Sequence, residues 1–183
     1  MPVIDFDPPE RFVTDTVGPP GQRVFFLQAT QGSRVMTVSL EKEQVRLLGE
    51  SIAEMLDQVA ADEGSEAAGE ALADNAPLDT PIEEDFRVRR LSMAWDAGRH
   101  VIIVEAHDTD PDELTDDDPP LSDDEGQLPV LQGLRVVLTP AQARAFSARC
   151  ARAVAGGRPN CPFCGGPLDP SGHICPRANG YRR

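Results

Sequence analysis

Two rhythms of hydrophobic and polar positions run along this chain, and each occurs twice. Phe12–Val17, Arg23–Ala29 and Arg34–Leu40 are short apolar-rich stretches, parted by a Gly/Pro turn and by Gln31-Gly32. Runs of this length between turn residues predict three strands. From Glu41 the rhythm lengthens, and Val45, Leu48, Ile52, Met55 and Leu56 form one stripe of a 3.6-residue helix. The order then repeats as Arg89–Trp95, a turn at Ala97-Gly98, His100–Ala106, Leu134–Leu138 and a second helical stripe of Ala143, Phe146, Cys150, Ala153 and Val154. Both stripes have the same internal spacing, and Arg23–Ala29 aligns with His100–Ala106. The second helix also opens on a capping box, with Thr139 at the N-cap, Pro140 at N1 and Gln142 at N3.

The pattern therefore predicts an α+β fold of duplicated β-β-β-α units. Six mostly antiparallel strands would bury both helical stripes, with a small zinc-ribbon-like knuckle at the C-terminus. The expected division is a body over 1–157 with acidic insertions at 57–85 and 108–125, followed by a zinc-binding segment over 158–183. Aromatic residues make up only 5% of the 183, so the core must be largely aliphatic. The longest apolar runs, Val24–Leu27 and Val101–Val104, fall far short of the roughly 18 residues that a membrane helix needs. Met1–Asp7 is short and acidic, unlike a signal peptide, and a cytoplasmic protein is expected.

Net charge changes this picture only through its distribution. The formal charge is −14, yet 57–85 and 108–125 each hold ten acids and no base. With those twenty set aside, eleven acids face seventeen bases, a net +6 on the remainder. Acidic runs rich in Ala, Gly, Pro and Ser bury little apolar surface and read as mobile solvated loops. A sharper reading makes them a decoy that shields the basic body or recruits a basic partner. Calcium is disfavoured. Asp108, Asp110 and Asp112 imitate the start of an EF-hand loop, but Glu113 stands where glycine is needed and Pro119 where the bidentate Glu belongs.

Candidate chemistry concentrates near the C-terminus. Cys161-Pro-Phe-Cys164 is a C-x-x-C, and His173-Ile-Cys175 follows after the turn-forming residues Leu168–Gly172. The turn presents two thiolates, and residues i and i+2 of the extended return share one face. Cys161, Cys164, His173 and Cys175 thus supply four soft donors, the set expected for one structural Zn²⁺ per chain. His107 or Cys150 in place of His173 is geometrically conceivable. A thioredoxin-like pair is the main rival, but no βαβ pattern surrounds the motif. Cys150 lies on the second helical stripe and is expected in the core.

Catalytic motifs are not found. Lys42 is the one lysine, which excludes a phosphate-binding G-x-x-x-x-G-K loop, and no nucleophile elbow or H-E-x-x-H occurs. His107-Asp108 could orient a base but lacks a nucleophile; a hidden site would need a cleft around His107 and Arg87–Arg90. Arg144, Arg149, Arg152, Arg158, Arg177, Arg182 and Arg183, with Phe163 and Tyr181 for stacking, suggest nucleic acid or an acidic partner. The plainer alternative pairs these arginines with the acidic runs of the same chain.

The run Cys161-Pro-Phe-Cys164-Gly through His173-Ile-Cys175-Pro-Arg177 to Tyr181, after the helix start Leu138–Arg144 and the opening Phe6–Val13, resembles an uncharacterised actinobacterial family of unknown function, DUF3090. The resemblance covers nearly the whole chain. It implies a cytoplasmic protein with a metal site on the C-terminal cysteines, a variable acidic insertion and no established activity. The expected role is a non-enzymatic zinc-binding adaptor or regulatory interaction protein with a protein partner. The alternatives are a nucleic-acid binder using the arginines and zinc loop, and a hydrolase or transferase with an unrecognised site.

Overall fold

The computed structural model describes residues 3–19, 21–109, 132–156, 161–164, 175 and 177. Its elements are β1 (Val3–Phe6), β2 (Arg11–Val17), β3 (Val24–Gln31), β4 (Arg34–Leu40), α1 (Lys42–Val59), α2 (Glu66–Ala71), β5 (Phe86–Arg87), β6 (Arg90–Asp96), β7 (Val101–His107), β8 (Gly133–Leu138) and α3 (Pro140–Ala155). The six strands and two long helices read from periodicity are all present. The second long helix opens on the capping box expected of it, and α1 opens on one that was not expected, between Glu41 and Gln44. The Glu41 amide donates to Gln44 Oε1 at 2.8 Å, and the Gln142 amide donates to Thr139 Oγ1 at 3.3 Å.

The strands divide into two mixed sheets of four, ordered β1-β8-β7-β6 and β2-β3-β4-β5. Within each sheet three strands are antiparallel, and one short strand joins parallel at the edge: β1 beside β8, and β5 beside β4. Each unit is thus β-β-β-β-α, and its first strand pairs with the last strand of the other unit. The registers are equivalent. Leu27 opposes Val38 as Val104 opposes Val136, and Phe25 opposes Leu40 as Ile102 opposes Leu138. Phe6 pairs with Val136 as Phe86 pairs with Val38. The two exchanged strands hold four and two residues, too few for alternation to announce them.

One core draws on both sheets. Phe25, Leu27 and Ala29 of β3, Met36, Val38 and Leu40 of β4, and Ile102, Val104 and Ala106 of β7 bury their side chains against the α1 and α3 stripes. Phe12 of β2 stacks on Phe146 of α3 with ring centroids 4.3 Å apart. The opposite face of β3 is buried too, because the chain from 72 to 85 crosses it. Leu78 packs with Val13 and Phe26, and the Asp79 amide donates to Gln28 Oε1 at 2.7 Å.

Residues 57–85, expected as a solvated loop, therefore hold the end of α1, the helix α2 and the buried Leu78. Ser65 caps α2, accepting from the Ala68 amide. Pairing with the body lets an acidic stretch fold here, because arginines meet the carboxylates that composition alone leaves uncompensated. Most of the second acidic run, together with Arg158, His173, Tyr181, Arg182 and Arg183, lies outside the described residues.

Candidate metal centre

Proline and phenylalanine between Cys161 and Cys164 form a turn that carries both thiols on one side of a short loop. Cys175, eleven residues beyond Cys164, returns to the same place. The sulfurs of Cys161, Cys164 and Cys175 all lie within 4.8 Å of one another, and those of Cys161 and Cys175 are 3.8 Å apart. None of the three is joined in a disulfide. Cys161 and Cys175 are buried, Cys164 is half-buried, and the intervening Phe163 is 63% exposed. Arg177 Nη1 donates to the Phe163 carbonyl at 3.3 Å and ties the return segment to the loop. Three sulfurs so placed could hold a metal ion. His173, the expected fourth donor, lies outside the described residues.

The alternative donors fall elsewhere among the described residues. Cys150 is fully buried on α3, and burial raises its thiol pKa, which keeps it protonated and unsuited to ligation. Its place is the helix contact, where an added methyl on Gly49 of α1 would sit 2.6 Å from Cys150 Cβ. His107 ends β7 beside Gly133 and does not join the sulfur group. Its Nδ1 is buried and has no hydrogen-bond partner among the described residues.

Two of the arginines proposed for an external partner are engaged within the chain. Arg144 bonds to Asp57 and to the Gly64 carbonyl. Arg149 is buried, and its guanidinium donates to the carbonyls of Thr14 at 2.7 Å, Asp74 at 2.5 Å and Ala76 at 2.7 Å, with Asp15 and Asp74 carboxylates at 3.3 Å. Arg11 of β2 completes a clamp, its Nε 2.6 Å from Asp74 Oδ2 and its Nη2 donating to the carbonyls of Ala76 and Pro77. Its pKa rises chiefly through the Asp74 hydrogen bond, whereas burial lowers that of Arg149 against the pull of Asp15 and Asp74. Sequence reasoning did not single out Arg11 or Asp74. They stand 63 positions apart, and neither belongs to a motif.

No helix among the described residues is long and apolar enough to cross a membrane. No curated protein and no solved structure matches the chain. Residues 4–175 match a protein of unknown function, DUF3090, a span that opens in β1, crosses both units and ends on the third clustered cysteine. The chain belongs to the DUF3090 family.

Proposed function

We propose that the C-terminal segment binds one structural Zn²⁺ through Cys161, Cys164, His173 and Cys175, and that the ordered loop is a docking point for a protein partner. The carrying observation is the convergence of three cysteine sulfurs within 4.8 Å of one another. Zinc–thiolate bonds of about 2.3 Å in a tetrahedron set neighbouring sulfurs about 3.8 Å apart, which is the Cys161–Cys175 separation of 3.8 Å. An imidazole fits the remaining corner and closes the shell, leaving no position for substrate. Metal binding would fix a segment with little apolar mass of its own.

Phe163 then stands exposed at the tip of a rigid loop, the kind of aromatic anchor that protein interfaces use. A non-enzymatic adaptor or regulatory role follows from this reading. A protein partner is favoured over nucleic acid because Arg144 and Arg149 already have acidic or backbone partners. Cysteines outside any disulfide suit a reducing compartment, in keeping with the cytoplasm.

Elemental analysis of the full chain should return about one zinc per molecule. Cobalt in its place should show thiolate charge-transfer absorption. His173→Ala should weaken the metal by more than the roughly 10–100-fold that loss of a supporting outer-shell group costs, while Cys150→Ala leaves metal content unchanged. Native protein that contains no metal and exposes three reactive tail thiols would refute the site. Partner capture unaffected by chelator and by Phe163→Ser would refute the docking role.

A further inference from the structure

The two halves of the molecule differ at one sheet edge. β2 and β6 hold equivalent edge positions, with Thr14 opposite Leu27 as Met93 is opposite Val104. The β2 edge is covered. Arg149 Nε donates to the Thr14 carbonyl, and Arg11 holds the carbonyls of Ala76 and Pro77. Beside it α2 lies against α3, where a methyl on Gly69 would sit 3.1 Å from the Ala145 amide. At the β6 edge the helix counterparts of Arg149 and Ala145 are Ser51 and Leu47, and both are exposed. Among the described strands β6 alone contains no buried residue, although Leu91, Met93 and Trp95 pack against the core.

The backbone of this edge is turned toward a partner strand. Thr14 Oγ1 donates to the Phe26 carbonyl at 2.9 Å, so that carbonyl faces β2. Pairing alternates along an antiparallel ladder, and the N–H and C=O of Thr14 therefore point away from β3. By register the same holds for Met93, and for Leu91 and Trp95 two residues to either side. Natural edges resist pairing with proline, lysine or inward-pointing charge. β6 has none of these, and its only charges stand at its two ends.

Those ends are opposite in sign, which selects the partner. Arg90-Leu-Ser-Met93-Ala-Trp-Asp96 complements itself when reversed. An antiparallel copy centred on Met93 sets Arg90 against Asp96, Leu91 against Trp95 and the small Ser92 against the small Ala94. It also brings the outward-facing residues opposite one another, for about six backbone hydrogen bonds. Opposite charges and an aromatic–aliphatic pair are cross-strand contacts that stabilise antiparallel strands. We propose that β6 is a dimerisation strand, which pairs antiparallel with β6 of a second copy and joins the two four-stranded sheets into one. Leu47 adds apolar surface beside the strand, but the interface is small, so association is weak and reversible.

Sedimentation velocity of the full-length protein, from micromolar to near-millimolar concentration, should show a monomer–dimer equilibrium. Hydrogen exchange at the Leu91, Met93 and Trp95 amides should slow as concentration rises. Arg90→Asp creates two like-charge pairs across the two-fold axis and should weaken association about tenfold. Asp96→Asn in that background removes the repulsion and should restore part of the affinity, while its side-chain oxygen still accepts from the Gly98 and Arg99 amides. Positions 90 and 96 lie about 20 Å apart along one strand, so the rescue reports pairing between copies. A monomer at every concentration overturns the proposal. Protected amides in that monomer would mean that the same chain covers the edge, and freely exchanging ones would leave it to a different protein. A dimer unaffected by Arg90→Asp, or not rescued by Asp96→Asn, overturns the β6 pairing.

Discussion

Asp74 lies between two guanidiniums, and its titration follows from that position. Its carboxyl is held below the ordinary value of 3.8, first by the Arg11 hydrogen bond, with help from the Ala76 amide and the charge of Arg149. Asp7 is lowered likewise through Arg99. In the unfolded chain both groups protonate at ordinary values, so the unfolded state binds more protons in the interval just below. Stability is full above that interval and falls as pH drops through it. Asp74→Asn should lower stability at neutral pH and narrow the difference in denaturation midpoint between about pH 7 and about pH 3. An unchanged difference would mean that the clamp does not couple to folding. Such a cluster is not legible in a sequence. Arg149 was visible only as one member of a basic run, and its function in the fold depends on carboxylates 75 and 134 positions away.

Among elements, the α1–α3 contact was legible as two stripes but not as a geometry. Val45, Leu48, Ile52, Ala143, Phe146 and Cys150 are buried as their spacing requires. The distance between the helices is set by a residue that hydropathy overlooks. Gly49 lets α3 approach until Ser147 Oγ donates to its carbonyl at 2.7 Å, and a methyl there would meet Cys150 Cβ at 2.6 Å and the Ser147 carbonyl at 3.4 Å. Gly49→Ala gains helix propensity yet must push the packed backbones of α1 and α3 apart. The overpacking term of about 1–3 kcal/mol exceeds the gain of about 1 kcal/mol at its middle and upper range. A lower midpoint in chemical denaturation is expected. Gly49→Ala with Cys150→Ala should recover little of the loss, since alanine keeps the Cβ that the added methyl meets at 2.6 Å and gives up only the sulfur at 3.5 Å. The strands β2–β4 and β6–β8 were legible because alternation and turn residues agree. The helix α2 was not, because its six residues fold against Arg144, whose Cγ would lie 2.6 Å from a methyl on Gly69.

Across the whole molecule, the exchange of first strands makes each half complete the other's sheet. A hairpin-by-hairpin reading finds three strands per unit and assigns the N-terminal residues to the unit that follows them. In the fold Phe6 is fully buried in the sheet of the second unit, opposite Val136, while Phe86 lies opposite Val38 in the sheet of the first. Pairings across such separations form late in a folding chain, because loop closure costs entropy before contacts return it. Their loss should therefore be felt in the half that receives the strand. Phe6→Ala removes a core ring at an expected cost of about 3–5 kcal/mol. Native-state hydrogen exchange should show protection falling first in β8, where β1 is bonded, ahead of β2–β4, although β2 is the nearer in sequence. Phe86→Ala should reverse the order, loosening β4 before β6–β8. Protection lost first in β2–β4 for Phe6→Ala would mean that the first strand stabilises its own unit and that the exchange does not join the halves energetically. Equal loss everywhere would instead mark one cooperative unit, in which case the two substitutions should be additive in neither denaturation midpoint nor exchange, since each already disrupts the core they share.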